Sequence, residues 1–204
     1  MYRFLESIKL KEGVFFRLEY HQKRVSQCFQ QFFPGQKKPD LAAWLYQQEV
    51  LQTGLYKCRV LYDQQGLLRP EITPYRMRNI KTLKLVETTL EPVLYKSADR
   101  SVYEQLFVQR GDCDDVLLVR NGLLTDTSYA NVALFDGEQW VTPRLPVLYG
   151  TNRAYLLEKK MIVEKDIKAV NLHHYHKIRL FNAMIEFGEV EVNLSDIFAS
   201  FAKQ

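Results

Sequence analysis

The stretch Leu123–Leu157, LLTDTSYANVALFDGEQWVTPRLPVLYGTNRAYLL, decides how this chain is read. Leu123 to Thr125 and Asn131 to Phe135 are apolar and β-prone, and Asp136-Gly137 is a hairpin signal before a return strand, Gln139 to Val141. Pro143 and Pro146 break regular pairing, because proline brings no backbone N–H to a ladder. Gly150-Thr151-Asn152 then opens a helix carrying Ala154, Leu156 and Leu157, with Thr151 or Asn152 able to cap it. Polar residues therefore collect at element ends: Thr125, Asp126, Ser128 and Asn131 in one group, Gly150 to Arg153 in the other. Polar groups placed there are where sites are usually built.

Upstream of this stretch, Phe4 to Leu10 and Val14 to Leu18 read as strands joined by a Lys11-Glu12-Gly13 turn. Apolar residues recur at helical spacing from Glu19 to Phe33, and Pro34-Gly35 stops that helix. His21 and Arg24, three apart, share one of its faces. A helix over Asp40–Gln52 is expected next, then a hairpin of Leu55–Tyr62 and Leu67–Pro74, and a strand at Thr82–Glu87. A helix from about Ser101 to Arg110 and a strand at Asp115–Arg120 lead into the deciding stretch. After it come a helix to Lys160, the segment Ile162–Glu164, a short helix near Ile167–Val170, a strand at Ile178–Asn182 and a last short helix from about Ser195. The pattern is mixed α/β, with a seam around residues 88–100 between two sheet-containing halves. The boundaries expected are 1–92 for a small N-terminal α/β domain, 93–100 for the connecting segment and 101–204 for a larger C-terminal α/β domain.

The 204 residues, 47% hydrophobic and 13% aromatic, suffice for one large or two small domains with real cores. The formal charge of +4 is spread without a long basic run, so a solvated surface accounts for it and nucleic acid is not expected as a partner. Three distant cysteines, odd in number and without a CxxC spacing, fit reduced thiols in a cytoplasmic protein. The charged N-terminus argues against a signal peptide, and no apolar run reaches the roughly 18 residues that span a bilayer. A soluble protein with no membrane partner is expected.

No glycine fingerprint for phosphate, no GxSxG and no HExxH is present. His173-His174-Tyr175-His176 looks metal-like, but adjacent histidines diverge and no second ligand set lies nearby, so no metal is expected. The helix opening at Gly150-Thr151-Asn152 offers free N–H groups and a positive dipole end to a phosphate, or is an ordinary helix start. Arg59, a charge within an apolar strand, either faces solvent or reaches a phosphate. Lys96 lies between the two halves, where partial burial could activate its amine, but spacing does not distinguish it from other lysines.

Several short motifs in order do. Leu124–Val132 (LTDTSYANV), Trp140-Val141-Thr142-Pro143 and Leu148–Arg153 (LYGTNR) resemble the signature of the class IV aminotransferases, the fold-type IV pyridoxal-phosphate enzymes. That family includes branched-chain and D-amino-acid aminotransferases and aminodeoxychorismate lyase. Phe4-Leu5-Glu6-Ser7 with Tyr20–Arg24 resembles its opening ET…H..R pattern. Lys96–Tyr103 (KSADRSVY) resembles its lysine segment in the K..dR..Y form of lyase-like members, and Phe181-Asn182-Ala183-Met184 its late NAM motif.

The resemblance implies a two-domain fold with pyridoxal 5'-phosphate between the domains, and a homodimer. It implies that Lys96 forms the Schiff base with the cofactor and moves the Cα proton. Arg59, Gly150, Thr151, Asn152 and the Ala183-Met184 backbone would hold the phosphate, with Asn131 also at the cofactor. Asp126 stands where the family usually has Glu against the pyridine nitrogen; it keeps the charge but is one methylene shorter. The reaction expected is that of a 4-amino-4-deoxychorismate lyase, releasing pyruvate and 4-aminobenzoate, a folate precursor. The alternatives are an aminotransferase acting on amino acids and a protein that keeps the fold without turnover. For the substrate carboxylate, Arg100, Arg153 and Tyr75 are the candidates.

Overall fold

A computed structural model describes residues 3–49 and 51–199. The chain divides into two compact units: one runs up to Met77 and takes in Val93–Asp99, and the other holds Arg78–Pro92 and the chain from Arg100 on.

The first unit carries β1 (Phe4–Lys11), β2 (Val14–Phe15), α1 (Leu18–Phe32), α2 (Leu41–Leu45), β3 (Leu55–Asp63), β4 (Gly66–Leu67) and β5 (Glu71–Pro74). Its sheet runs β2-β1-β3-β4, with β5 also on β3. Phe4, Ile8 and Leu10 alternate along one face of β1 and pack with Cys58, Val60 and Tyr62 of β3 against Val25, Cys28 and Phe29 of α1. The expected helix over 40–52 stops at Leu45. Asp40 caps it through the Ala43 N–H at 2.9 Å, and Leu41 and Leu45 reach the core, but Tyr46 and Leu51 are exposed. The strand expected over 67–74 is split in two at Pro70, which cannot donate to β3.

The second unit carries β6 (Leu83–Glu87), α3 (Ser101–Val108), β7 (Asp115–Arg120), β8 (Leu123–Thr127), β9 (Asn131–Phe135), β10 (Trp140–Pro143), α4 (Thr151–Glu158), β11 (Val163–Lys165), β12 (Lys177–Phe181), β13 (Val190–Asn193) and β14 (Ile197–Ala199). One sheet is ordered β14-β6-β7-β8 and the other β11-β10-β9-β12-β13. Residues 78–92, placed with the N-terminal half on sequence grounds, belong to this unit because β6 pairs in parallel with β7 from Leu83↔Asp115 to Glu87↔Val119. The short helix expected near 167–170 is a 3-10 helix at Ala169–His174. The helix expected from Ser195 is a single 3-10 turn, Leu194–Asp196, followed by β14 in parallel with β6; the rest of that expected helix lies outside the described residues. No helix among the described residues is long and apolar enough to cross a membrane.

Candidate active site

In the first unit, the segment around Lys96 is stitched to β1. The Leu5 N–H donates to the Lys96 carbonyl oxygen at 2.9 Å and the Ala98 N–H to that of Arg3 at 3.0 Å, with Phe4 and Ser97 forming an antiparallel bridge. The half-buried Lys96 amine donates to the Ser7 hydroxyl at 3.2 Å. Arg59 on β3 stands directly across from Ser7, so it shares that face of the sheet. Its guanidinium donates to Glu71 at 3.1 Å and is about one-third exposed.

A second charged group lies on the opposite face of β1. Glu6 is fully buried and accepts from Arg24 Nε at 2.8 Å and Nη2 at 2.6 Å, with His21 Nδ1 at 2.5 Å. Burial raises a carboxyl, but the Arg24 charge and these hydrogen bonds outweigh it and hold Glu6 down at about 2. Burial keeps His21 below its ordinary value. The sequence showed His21 and Arg24 on one helix face; their partner on another element was not visible there.

In the second unit the polar ends of the deciding stretch converge. From Leu117 to Val119 β7 advances two residues while β8 advances three, from Leu124 to Thr127. This bulge re-aims the strand at Thr125-Asp126. The buried Asp126 carboxylate accepts from Asn131 Nδ2 at 2.7 Å and from the Leu148 N–H at 2.8 Å. Desolvation dominates these bonds and pushes its acid up to about 6. Asn131 Nδ2 also donates to the Leu148 carbonyl at 2.9 Å. Gly150 comes so close to Asn131 that a Cβ there would overlap the amide oxygen. Gly150 is the N-cap of α4 and brings no side-chain cap hydrogen bond to its first turn.

Thr151 and Asn152 are buried at the start of α4. Asn152 Nδ2 donates to the carbonyls of Asn182 and Ile185 at 2.9 and 3.0 Å, and Asn182 Oδ1 accepts from the N–H groups of Met184 and Ile185 at 2.8 and 3.0 Å. Two asparagines thus hold the turn that contains Ala183 and Met184. The Met184 N–H, expected at a phosphate, is taken by Asn182. Arg153 donates to Pro143 O at 2.9 Å and Glu164 at 2.7 Å and is buried; its charge is tied to the fold, which withdraws it as a carboxylate clamp. Arg100 donates to the Ser128 carbonyl at 2.8 Å and stacks over Tyr103. The rings of the histidines at 173 and 174 meet edge-on, and no group of three or more His, Cys, Asp or Glu able to hold a metal occurs among the described residues.

A family model for amino-transferase class IV matches residues 71–191. The chain belongs to the class IV aminotransferase family. The crystal structure of a proposed 4-amino-4-deoxychorismate lyase from Haemophilus somnus 129pt superposes with a TM-score of 0.83 at 31% identity, covering 91% of this chain and 97% of that one. An uncharacterized protein of Haemophilus influenzae is 28% identical over 186 residues, 90% of this chain and 98% of its own. A proposed aminodeoxychorismate lyase of Schizosaccharomyces pombe is 34% identical over 98 residues, 43% of this chain and 42% of that one. Class IV aminotransferases and their lyase relatives are pyridoxal-phosphate enzymes, and the mixed α/β architecture of this chain is theirs. The residues fit that group: a helix start without a side-chain cap for a phosphate, a buried carboxylate that a cation would hold ionised, and a half-buried amine on a neutral hydroxyl.

Proposed function

We propose that this class IV protein is a 4-amino-4-deoxychorismate lyase, releasing pyruvate and 4-aminobenzoate. The observation that carries the reading is the Lys96 amine set on the Ser7 hydroxyl, in a chain alike over nine-tenths of its length to a proposed lyase of that kind. When bound, the cofactor supplies a ring that accepts the electron pair left at the substrate α-carbon.

The protein's own residues do the rest. Lys96 supplies the amine that holds the cofactor and, once displaced by the substrate amine, takes the α-proton at Nζ. Ser7 Oγ orients that amine and can receive or return its proton. Asp126 would hold the ring nitrogen protonated, because a protonated nitrogen and the buried carboxylate would stabilise each other's charge. Asn131 and the Leu148 N–H fix where the shorter Asp126 side chain points. The α4 start at Gly150, Thr151 and Asn152 turns N–H groups and a positive dipole end to the phosphate. Arg59 would give up Glu71 to pair with the phosphate, and of the 183–184 backbone the contribution would fall to Ala183, since Asn182 holds the Met184 N–H.

The test is incubation with pyridoxal phosphate and then with 4-amino-4-deoxychorismate, followed by absorbance and by product analysis. A visible band that Lys96→Ala cannot form, with pyruvate and 4-aminobenzoate released in equal amounts, is expected. Amino transfer that depends on an added keto acid, without pyruvate release, would replace the lyase with an aminotransferase using the same residues. A missing band in the wild type would sink both. The active form in this reading is a cytoplasmic homodimer, which light scattering would report as twice the chain mass.

A further inference from the structure

The second unit buries a positive charge that the proposed reaction does not use. Arg120 ends β7 across from Leu123. Between them Asn121 and Gly122, at φ 52° and 75°, make the two-residue turn that suits an antiparallel hairpin. Only 8% of Arg120 is exposed. Its guanidinium donates to the carbonyls of Leu90 at 2.8 Å and Leu145 at 3.4 Å. Among the described residues its ion pair is with Glu91, 3.7 Å away on a side chain that is 80% exposed. Two neutral acceptors and a solvated carboxylate at that distance offset little of the cost of burying a charge.

A cavity of about 80 Å³ lies beside Arg120. Arg144 and Lys165 line it as well, Asp166 is the acidic residue of its wall, and buried Leu124 and Ile167 form part of the rest. Backbone bonds fix these segments to one another: the Leu124 N–H donates to the Ile167 carbonyl at 2.8 Å and the Arg144 N–H to that of Lys165 at 3.1 Å. Arg144 donates to Asp166 at 3.2 Å and Lys165 to Asp136 at 3.3 Å. Arg144, Asp166 and Lys165 are each exposed by about half, and pairs of that kind hold little energy, so either cation can turn to a better partner. The cavity has room for roughly two to three waters at about 30 Å³ each, or for one carboxylate or phosphate group in their place.

We propose that this cavity is an anion site, taking the carboxylate or phosphate group of a small ligand, with Arg120 as its buried anchor and Arg144 and Lys165 as its outer cations. The planar fork of a guanidinium matches either group, and the anion supplies the counter-charge that Arg120 lacks inside the fold. None of these residues handles the cofactor in the reading above, so the site does not depend on that reaction.

The test is hydrogen exchange on the full chain, read amide by amide by NMR at constant pH. Inorganic phosphate, acetate, and sodium chloride at matched ionic strength are titrated in turn. The Leu124 and Arg144 amides report the cavity, and the Ala154 amide, bonded to the Gly150 carbonyl, reports the start of α4. At ten times its half-saturating concentration the bound anion should slow exchange at Leu124 and Arg144 about tenfold, since opening requires its release. Arg120→Gln is expected to raise that concentration about tenfold or more, the size of a charged hydrogen bond. Should that variant not fold, Arg144→Gln removes an exposed charge instead and should raise it about threefold.

Saturation by phosphate alone makes the ligand group a phosphate, by acetate alone a carboxylate, and by both either one; each upholds the site. Slowing at Leu124 and Arg144 no greater than with sodium chloride, slowing at Ala154 only, or an unchanged half-saturating concentration in a folded variant would overturn it. The visible band with pyridoxal phosphate is read separately, and its absence would sink the enzyme reading while leaving this site as the titration finds it.

Discussion

Gly150→Ala tests the geometry around Asp126. The backbone at Gly150 has φ −70° and ψ 148°, which alanine adopts freely. By itself the change would stiffen the unfolded chain and stabilise the fold by about 0.4–1 kcal/mol. The structure expects the opposite, because the new Cβ overlaps Asn131 Oδ1. Asn131 opposes Phe181 within a central strand pair and has no room to slide, so its side chain must rotate. That breaks the bond to Asp126 at 2.7 Å and the bond to Leu148 O at 2.9 Å. The first, to a charged group, is worth about 1.5–3 kcal/mol and the second about 0.5–1.5, for a net loss of roughly 1–4 kcal/mol. The assay is urea unfolding at pH 8 followed through Trp140 in a Trp44→Phe background. Asn131→Ala should cost a similar amount, and Asn131→Ala with Gly150→Ala should fall within about 1 kcal/mol of Asn131→Ala alone, since the overlap has gone. At pH 5, where Asp126 is largely protonated, the cost of Gly150→Ala should shrink. A Gly150→Ala protein as stable as wild type, or costs that add in the double variant, would refute the reasoning.

Acid should act on the two units in opposite directions, read by hydrogen exchange corrected for intrinsic rate. Burial raises Asp126 from 3.8 to about 6, so the folded state takes up the proton first. Protection of β8 and β9 should rise as pH falls through 6, by up to about 3 kcal/mol below pH 4 at roughly 1.4 kcal/mol per unit. Glu6 is held down from 4.5 to about 2, so its stabilisation is present above pH 4.5 and lost toward pH 2; His21, lowered by burial from 6.5, starts the loss in β1 sooner. Parallel responses in β1 and β9 would contradict this. Arg24→Ala leaves a buried carboxylate with one donor from α1 and should cost about 3–5 kcal/mol in the first unit by denaturant titration. Burial pushes the Cys28 and Cys58 thiols up to about 11 and about 12, so iodoacetamide at pH 8 should modify half-buried Cys113 first.

Much of the local structure around the candidate site was legible, because neighbouring residues set it. Gly150-Thr151-Asn152 does open a helix, Asp136-Gly137 does turn a hairpin, and Asp126 and Asn131 do end facing strands. Turn and cap preferences depend on a few neighbouring residues, so a linear pattern carries them. The Asp126–Asn131–Gly150 contact was not legible, because a bulge and a close approach arise only when β8, β9 and the α4 start are assembled.

By itself the sequence determined the family, through motifs in a fixed order, together with the alternation and helical spacing that set most elements. Tertiary structure decided the rest. It ended α2 at Leu45, beyond which Tyr46 and Leu51 stay exposed. It made β14 a strand, because Ile197–Ala199 met the free edge of β6. It gave Glu6 two partners from α1, fifteen and eighteen residues away. Periodicity shows which face a side chain occupies, but not which distant face it meets; that depends on how the elements pack, where an unpaired buried charge is too costly to leave.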